Sequence, residues 1–121
     1  MLFDTSFCID LADELQSRRV GACQALLTAS RHQVRCVSVV TLGEYAVGAS
    51  ESEVRRFFRG FRPLALGQRL AVFAGRMQAS LAFEMGENGL WIAATALCER
   101  MPLVTRDRVF SRVPGLQLVS Y

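Results

Sequence analysis

Short, continuously apolar runs alternate along the chain with stretches in which apolar residues recur every three or four positions. That alternation predicts strands separated by amphipathic helices. Met1-Leu2-Phe3 predicts an N-terminal strand, and Phe7, Leu11 and Leu15 follow it at helical spacing. Val20, Cys23, Leu27 and Ser30 continue at three-to-four spacing, predicting a second helix that ends in the polar turn near His32. The stretch from Arg35 to Val40 is rich in β-branched residues and predicts a strand buried on both faces. Thr41-Leu42-Gly43-Glu44 has the form of a capping box opening a helix, and Ser50-Glu51-Ser52-Glu53 repeats it ahead of Val54, Phe57 and Phe58.

Pro63 and Gly67 predict a turn, after which Leu70, Phe73, Met77 and Leu81 form one stripe of a longer helix. Gly86-Glu87-Asn88-Gly89 breaks the pattern. Asn88 is then the expected cap of a helix through Leu90, Ala93, Ala94 and Leu97 that stops before Pro102. Leu103-Val104 and, beyond the Pro114-Gly115 turn, Leu116 to Val119 are the last two expected strands. Continuously apolar strands separated by helices predict an α/β fold, a central parallel sheet covered by helices on both faces. With 121 residues and no repeat, linker or low-complexity segment, a single domain over 1–121 is expected.

Composition narrows the chemistry. No run approaches the ~20 apolar residues of a membrane span, and the opening residues lack a secretory signal, so a cytoplasmic protein is expected. The four cysteines form no CxxC pair and sit among apolar neighbours, as small buried hydrophobes in a reducing compartment do. His32 is the only histidine and lies in a polar stretch, which argues against a zinc site or a Ser/His/Asp triad. All 14 basic residues are arginine, and the net charge is +3. Without a lysine the chain builds neither a P-loop nor a Schiff base, and no GxGxxG is present. An arginine-rich surface is compatible with phosphate recognition, because the planar guanidinium grips phosphate oxygens bidentately.

Ligands of open parallel sheets gather outside the carboxyl ends of the strands. Asp4 directly follows the first strand, Glu44 lies one turn into the helix after the second, and Asp107 follows the strand at Leu103. Each acid also has a plain structural use. Asp4 would cap the first helix, Glu44 would complete the Thr41 capping box, and Asp107 would pair with Arg106 or Arg108. If their strands are neighbours, however, the three carboxylates converge on one edge of the sheet. Converging carboxylates raise one another's pKa unless a cation neutralises them, and oxygen ligands alone favour a hard ion, Mg²⁺ or Mn²⁺. Such a site activates water and stabilises charge on phosphodiester oxygens.

Those residues also carry a family resemblance that spans the chain. Leu2 to Ser6, Val39 to Glu44 and Leu103 to Phe110 resemble the acidic motifs of PIN domains. Gly86 to Leu97 closely resembles the helix-opening motif of VapC-type toxins, the ribonuclease halves of type II toxin–antitoxin pairs. The resemblance implies a PIN-like three-layer sandwich and an RNA endonuclease using Mg²⁺ or Mn²⁺. It implies acids at Asp4, Glu44, position 89 and Asp107, the first and third being the usual principal ligands, with the Thr105 hydroxyl in support. At position 89 this chain has glycine. Glu87, two residues upstream, points elsewhere from a helix start and does not replace the missing acid. Ser6 is a supporting hydroxyl or a helix cap. The expected consequence is an impaired nuclease, and the alternative is a module that binds RNA or antitoxin without cutting.

The resemblance further implies a cognate antitoxin seated in a groove near the active site, and a homodimer. Leu42, Tyr45, Val54, Phe57, Phe58 and Phe61 exceed what two short helices need for their own packing, so part of this surface is a candidate interface. Arg55, Arg56, Arg59 and Arg62 lie along the same region, as a solvated face or as contacts for antitoxin acids or RNA phosphates. A receiver domain also clusters acids near a threonine at strand ends. Its mechanism needs a lysine, which this chain lacks.

Overall fold

The structure is a computed structural model describing residues Met1–Tyr121. Five short strands, β1 (Leu2–Phe3), β2 (Cys36–Ser38), β3 (Arg62–Leu64), β4 (Leu103–Val104) and β5 (Leu118–Val119), form one sheet in the order β3-β2-β1-β4-β5. Every pairing is parallel. Six helices connect them: α1 (Thr5–Ser17), α2 (Ala22–Ala29), α3 (Val39–Ala46), α4 (Glu51–Phe57), α5 (Gln68–Ser80) and α6 (Glu87–Cys98). This is the PIN-like α/β sandwich that the sequence motifs implied. No helix is long and apolar enough to cross a membrane.

Side chains alternate across the pleat, so successive strand residues supply opposite cores. Leu2, Cys36 and Leu103 pack with Leu70, Met77 and Ile92 of α5 and α6. Phe3, Val37 and Val104 pack on the other face with Phe7, Leu11, Leu27 and Phe61. Both faces are therefore apolar, and the strands read as continuous runs. Ala93, Ala94 and Ala96 are fully buried; their small side chains let α6 lie close to α5 and the sheet.

Four local expectations are corrected. The second strand stops at Ser38, because the Ser38 hydroxyl accepts a hydrogen bond from Val40 N–H and starts α3 at Val39. A local cap thus overrides the β-propensity of two valines. The Thr41–Glu44 capping box does not form, since Thr41 already lies inside that helix and is buried. The box at Ser50 and Glu53 is present as expected. Asn88 is not a cap: α6 begins at Glu87 with Gly86 as its N-cap. Finally, Arg62–Leu64 is a strand and not the start of a turn. Proline lacks an N–H donor, and β3 accommodates Pro63 because it is an edge strand paired only with β2. The Pro114-Gly115 turn is as expected, with Gly115 at φ 79°.

Gly21 caps α2 without a side chain, and Glu14 of α1 supplies the missing acceptor. Its carboxylate accepts from the N–H groups of Gly21 (3.1 Å), Cys23 (2.8 Å) and Gln24 (3.1 Å). A Cβ at Gly21 would collide with the Glu14 carboxylate, so a side chain there would displace the carboxylate from the clamp. Desolvation pushes the Glu14 carboxyl up, but hydrogen bonds from Cys23, Gln24 and Gly21 outweigh it and hold the group below the ordinary glutamate value. The clamp's contribution is therefore full above the ordinary glutamate range and is lost as pH falls through the lowered value. Glu14→Ala is expected to cost about 1 kcal/mol at neutral pH, the scale of a helix cap, and the difference from the parent should shrink in acid. Denaturant melts at several pH values check this. A cost that does not depend on pH would contradict the clamp.

Candidate active site

The register Phe3 opposite Val104 brings the residues after them, Asp4 and Thr105, side by side at the carboxyl edge. Asp4 is 5% exposed. Its Oδ2 accepts from Thr105 Oγ1 at 2.7 Å and from Ser6 Oγ at 3.0 Å. Ser6 thus serves the carboxylate and does not cap α1. Burial pushes the Asp4 carboxyl above its ordinary value; hydrogen bonds from Thr105, Ser6 and Thr5 N–H work against that, and the Glu44 charge adds to the rise.

Thr105 Oγ1 also accepts from Asp107 N–H at 3.0 Å, so one hydroxyl ties the first acidic motif to the last. Asp107 is exposed, and its Oδ1 accepts from Val109 N–H at 3.0 Å, capping the 3-10 turn Arg108–Arg112. It does not pair with either flanking arginine. Arg106 Nε lies 3.0 Å from Asp10 Oδ2, and the Tyr121 hydroxyl donates to the same oxygen at 2.7 Å. Glu44 is the third acid of the edge. Its Oε1 accepts from Thr5 Oγ1 at 2.6 Å, and the Thr5 and Thr41 hydroxyl oxygens are 3.2 Å apart.

Sequence reasoning missed three of these groups. Thr5 orients Glu44, Thr41 backs Thr5, and Asp10 holds the Arg106 loop through contacts across the fold. For Asp10 the available signal was its place one helical turn after Ser6, on the same face of α1.

Gly89 is the third residue of α6 and half-buried. A Cβ there would stand 3.2 Å from the Met85 methyl and 3.8 Å from the Phe110 ring. The space beside it is thus apolar, and an aspartate would need the flexible end of Met85 to give by a few tenths of an ångström. Glu87 is exposed in the first turn. Asp4, Glu44 and Asp107 share the carboxyl edge, but no three acidic, histidine or cysteine side chains lie close enough together to hold a metal ion. These oxygen donors are of the type Mg²⁺ or Mn²⁺ takes, yet as arranged they do not close around one ion.

The four arginines expected along one surface are divided. Arg55 pairs with Glu51 at 3.1 Å in an exposed i,i+4 bridge. Arg56 lines a groove of about 1140 Å³ between α1 and α2 on one side and α3 and α4 on the other. Arg59 and Arg62 lie at the opposite, amino end of the sheet, in a smaller cleft that adjoins the groove. Phe58 and Phe61 are core residues, whereas Tyr45 and Phe57, stacked at 4.6 Å, stand in the groove wall.

The sequence pattern of the PIN domain matches residues 1–116. The chain belongs to the PIN-domain family. Ribonuclease VapC4 of Mycobacterium tuberculosis is 29% identical over 98 residues, covering 69% of this PIN domain and 75% of that protein. The toxin–antitoxin complex from Klebsiella pneumoniae is similar with a TM-score of 0.73 and 26% identity, over 98% of this chain and 94% of that one. VapBC2 from Rickettsia felis, bound to a DNA fragment from its promoter, shares the fold with a TM-score of 0.80 at 21% identity, over 98% and 96% of the two chains.

An ionised Asp4 at this depth opposes folding, since its carboxyl is held above the ordinary value. In Asp4→Asn the amide oxygen still accepts from Thr105 and Ser6 without a charge. That variant of the PIN domain should be stabler than the parent at neutral pH by ~1 kcal/mol. The gain should fade as acid protonates the parent's Asp4. Thermal melts with a chelator present test both; a lower melting temperature for the variant at neutral pH would refute the expectation.

Proposed function

We propose that this PIN domain is the toxin half of a VapC-type toxin–antitoxin pair whose ribonuclease site is impaired, so that it binds its antitoxin but cuts RNA weakly or not at all. The observation that carries the impairment is position 89. A glycine stands where VapC-type toxins place a principal ligand, and the three remaining acids do not gather into a metal-holding group. The similarity to Ribonuclease VapC4 supports RNA as the substrate class, and the arrangement of hydroxyls around Asp4 supports the carboxyl edge as the place of cleavage.

Antitoxin binding rests on the groove. Its walls expose Ile9, Leu15 and Val47 and present Tyr45 and Phe57, an apolar surface of the kind a partner helix covers. The similarity to the Klebsiella pneumoniae toxin–antitoxin complex supports a protein partner. Pairing as a homodimer belongs to the same proposal. The four cysteines are free thiols, which supports a reducing, cytoplasmic setting.

The test restores the missing acid. With Mg²⁺ or Mn²⁺ the parent chain should show little or no RNA cleavage, and Gly89→Asp should raise it by at least ~10–100-fold, a range that even outer partners of metal ligands command. The rise should vanish with chelator and in Gly89→Asp combined with Asp4→Ala. Induction of the variant should slow growth where the parent does not. A folded Gly89→Asp chain that binds metal yet cuts no RNA would remove the nuclease reading, and an Asp4-dependent activity in the parent would remove the impairment.

A further inference from the structure

Arg31 and Arg35 precede β2, and Arg59 and Arg62 precede or open β3, so all four lie at the amino end of a parallel sheet. They line one cleft of about 420 Å³ with Phe61 and Gly60, and no acid lines it. None of the four enters a salt bridge; the two ion pairs in the structure use Arg55 and Arg106. Guanidinium groups so gathered repel one another, and apart from Arg31 Nε, which donates to His32 Nε2 at 3.4 Å, their donors have no side-chain acceptor in the protein, the signature of a surface awaiting anions.

The cleft is continuous with the long groove. Arg31, Arg35, Gly60 and Phe61 line both, and the Arg35 guanidinium lies 3.9 Å from where a Cβ of Gly60 would sit. Glu44 marks the other end of the groove, near Asp4, and Asp13 and Glu53 also stand in its walls, Glu53 partly offset by Arg56. Glu44 thus stands toward the Asp4 end, Asp13, Glu53 and Arg56 stand beside Tyr45 along the apolar stretch, and four arginines without an ion-pair partner stand at the other end.

We propose that the arginine cleft anchors a carboxylate-bearing stretch of the polypeptide that fills the groove, and so fixes the direction in which that partner lies. This rests on the groove being the antitoxin's seat. A polypeptide fits the charge sequence, because an amphipathic segment can be acidic at one end, apolar along one face and basic at the other. An RNA strand fits less well. To reach both Asp4 and the arginines along the groove, its phosphates would pass Glu44, Asp13 and Glu53 over a floor of Leu27 and Phe61.

The probes are two labelled peptides of about 16 residues with leucines at helical spacing and arginines at one end. One ends in glutamates and the other in glutamines. Binding is read by fluorescence anisotropy against the parent, Arg59→Ala combined with Arg62→Ala, and Leu15→Glu. The parent should bind the glutamate peptide about tenfold tighter, the sum of a few partly exposed pairs. The arginine double variant should lose that preference without losing the glutamine peptide, and Leu15→Glu should weaken both peptides alike. Equal binding of the two peptides by the parent would overturn the anchor while leaving the groove as a seat if Leu15→Glu still weakens both. Binding of neither peptide would overturn anchor and seat together. Loss of a single-stranded RNA of about 12 nucleotides in the arginine variant, with no effect on peptide preference, would overturn it in favour of nucleic acid.

Discussion

A buried carboxylate at the end of the central strand governs this structure. Asp4 follows a strand whose two residues are fully buried, and its depth makes its charge costly unless hydroxyls are aimed at it. Two of them are, one from α1 and one from the end of β4. The second is in place only because β4 pairs with β1 in one register, so a slip of one residue would turn Thr105 to the other face and leave Asp4 without it. Thr105 in turn receives the Asp107 N–H, which seats the following 3-10 turn, and Asp10 holds Arg106 between them. The last acidic motif is thus positioned by the first.

Around that edge the acids are restrained individually, not collectively. Thr5 holds Glu44, the Val109 N–H holds Asp107, and Ser6 and Thr105 hold Asp4. In a site built to bind a divalent ion the carboxylates face one another, and their repulsion is relieved when the cation arrives. Here each acid has a protein donor, and the remaining corner at Gly89 is lined by Met85 and Phe110. Glycine at position 89 adds no further charge to that edge.

The direction of the sheet separates two groups of charged residues. Parallel strands send every carboxyl end to one side, so the residues that follow strands gather there and those that precede strands gather opposite. Asp4, Glu44 and Asp107 belong to the first group, and Arg31, Arg35, Arg59 and Arg62 to the second. The groove between α1, α2, α3 and α4 joins the two edges, and its aromatic wall of Tyr45 and Phe57 rests on core residues Phe58 and Phe61.

The pattern of apolar residues determined by itself that strands alternate with helices, that the inner strands are buried on both faces, and that Asp4, Glu44 and Asp107 fall after strands. These are local or periodic properties, carried by neighbours within a few residues. The capping box at Ser50 and the turn at Gly115 were legible for the same reason. What the tertiary structure alone decided is long-range. Arg62–Leu64 reads as a turn because Pro63 lacks a donor, and it becomes a strand only when β2 offers it an edge. Glu44 looks like a cap until α1 brings Thr5 to it from 39 residues away. Arg59 and Arg62 look continuous with Arg55 and Arg56, but the chain turns between them and sends two guanidiniums to Glu51 and the groove and two to the far end of the sheet. Spacing along a sequence sets which face of one element a residue occupies; only the packing of elements against one another sets which distant groups it meets.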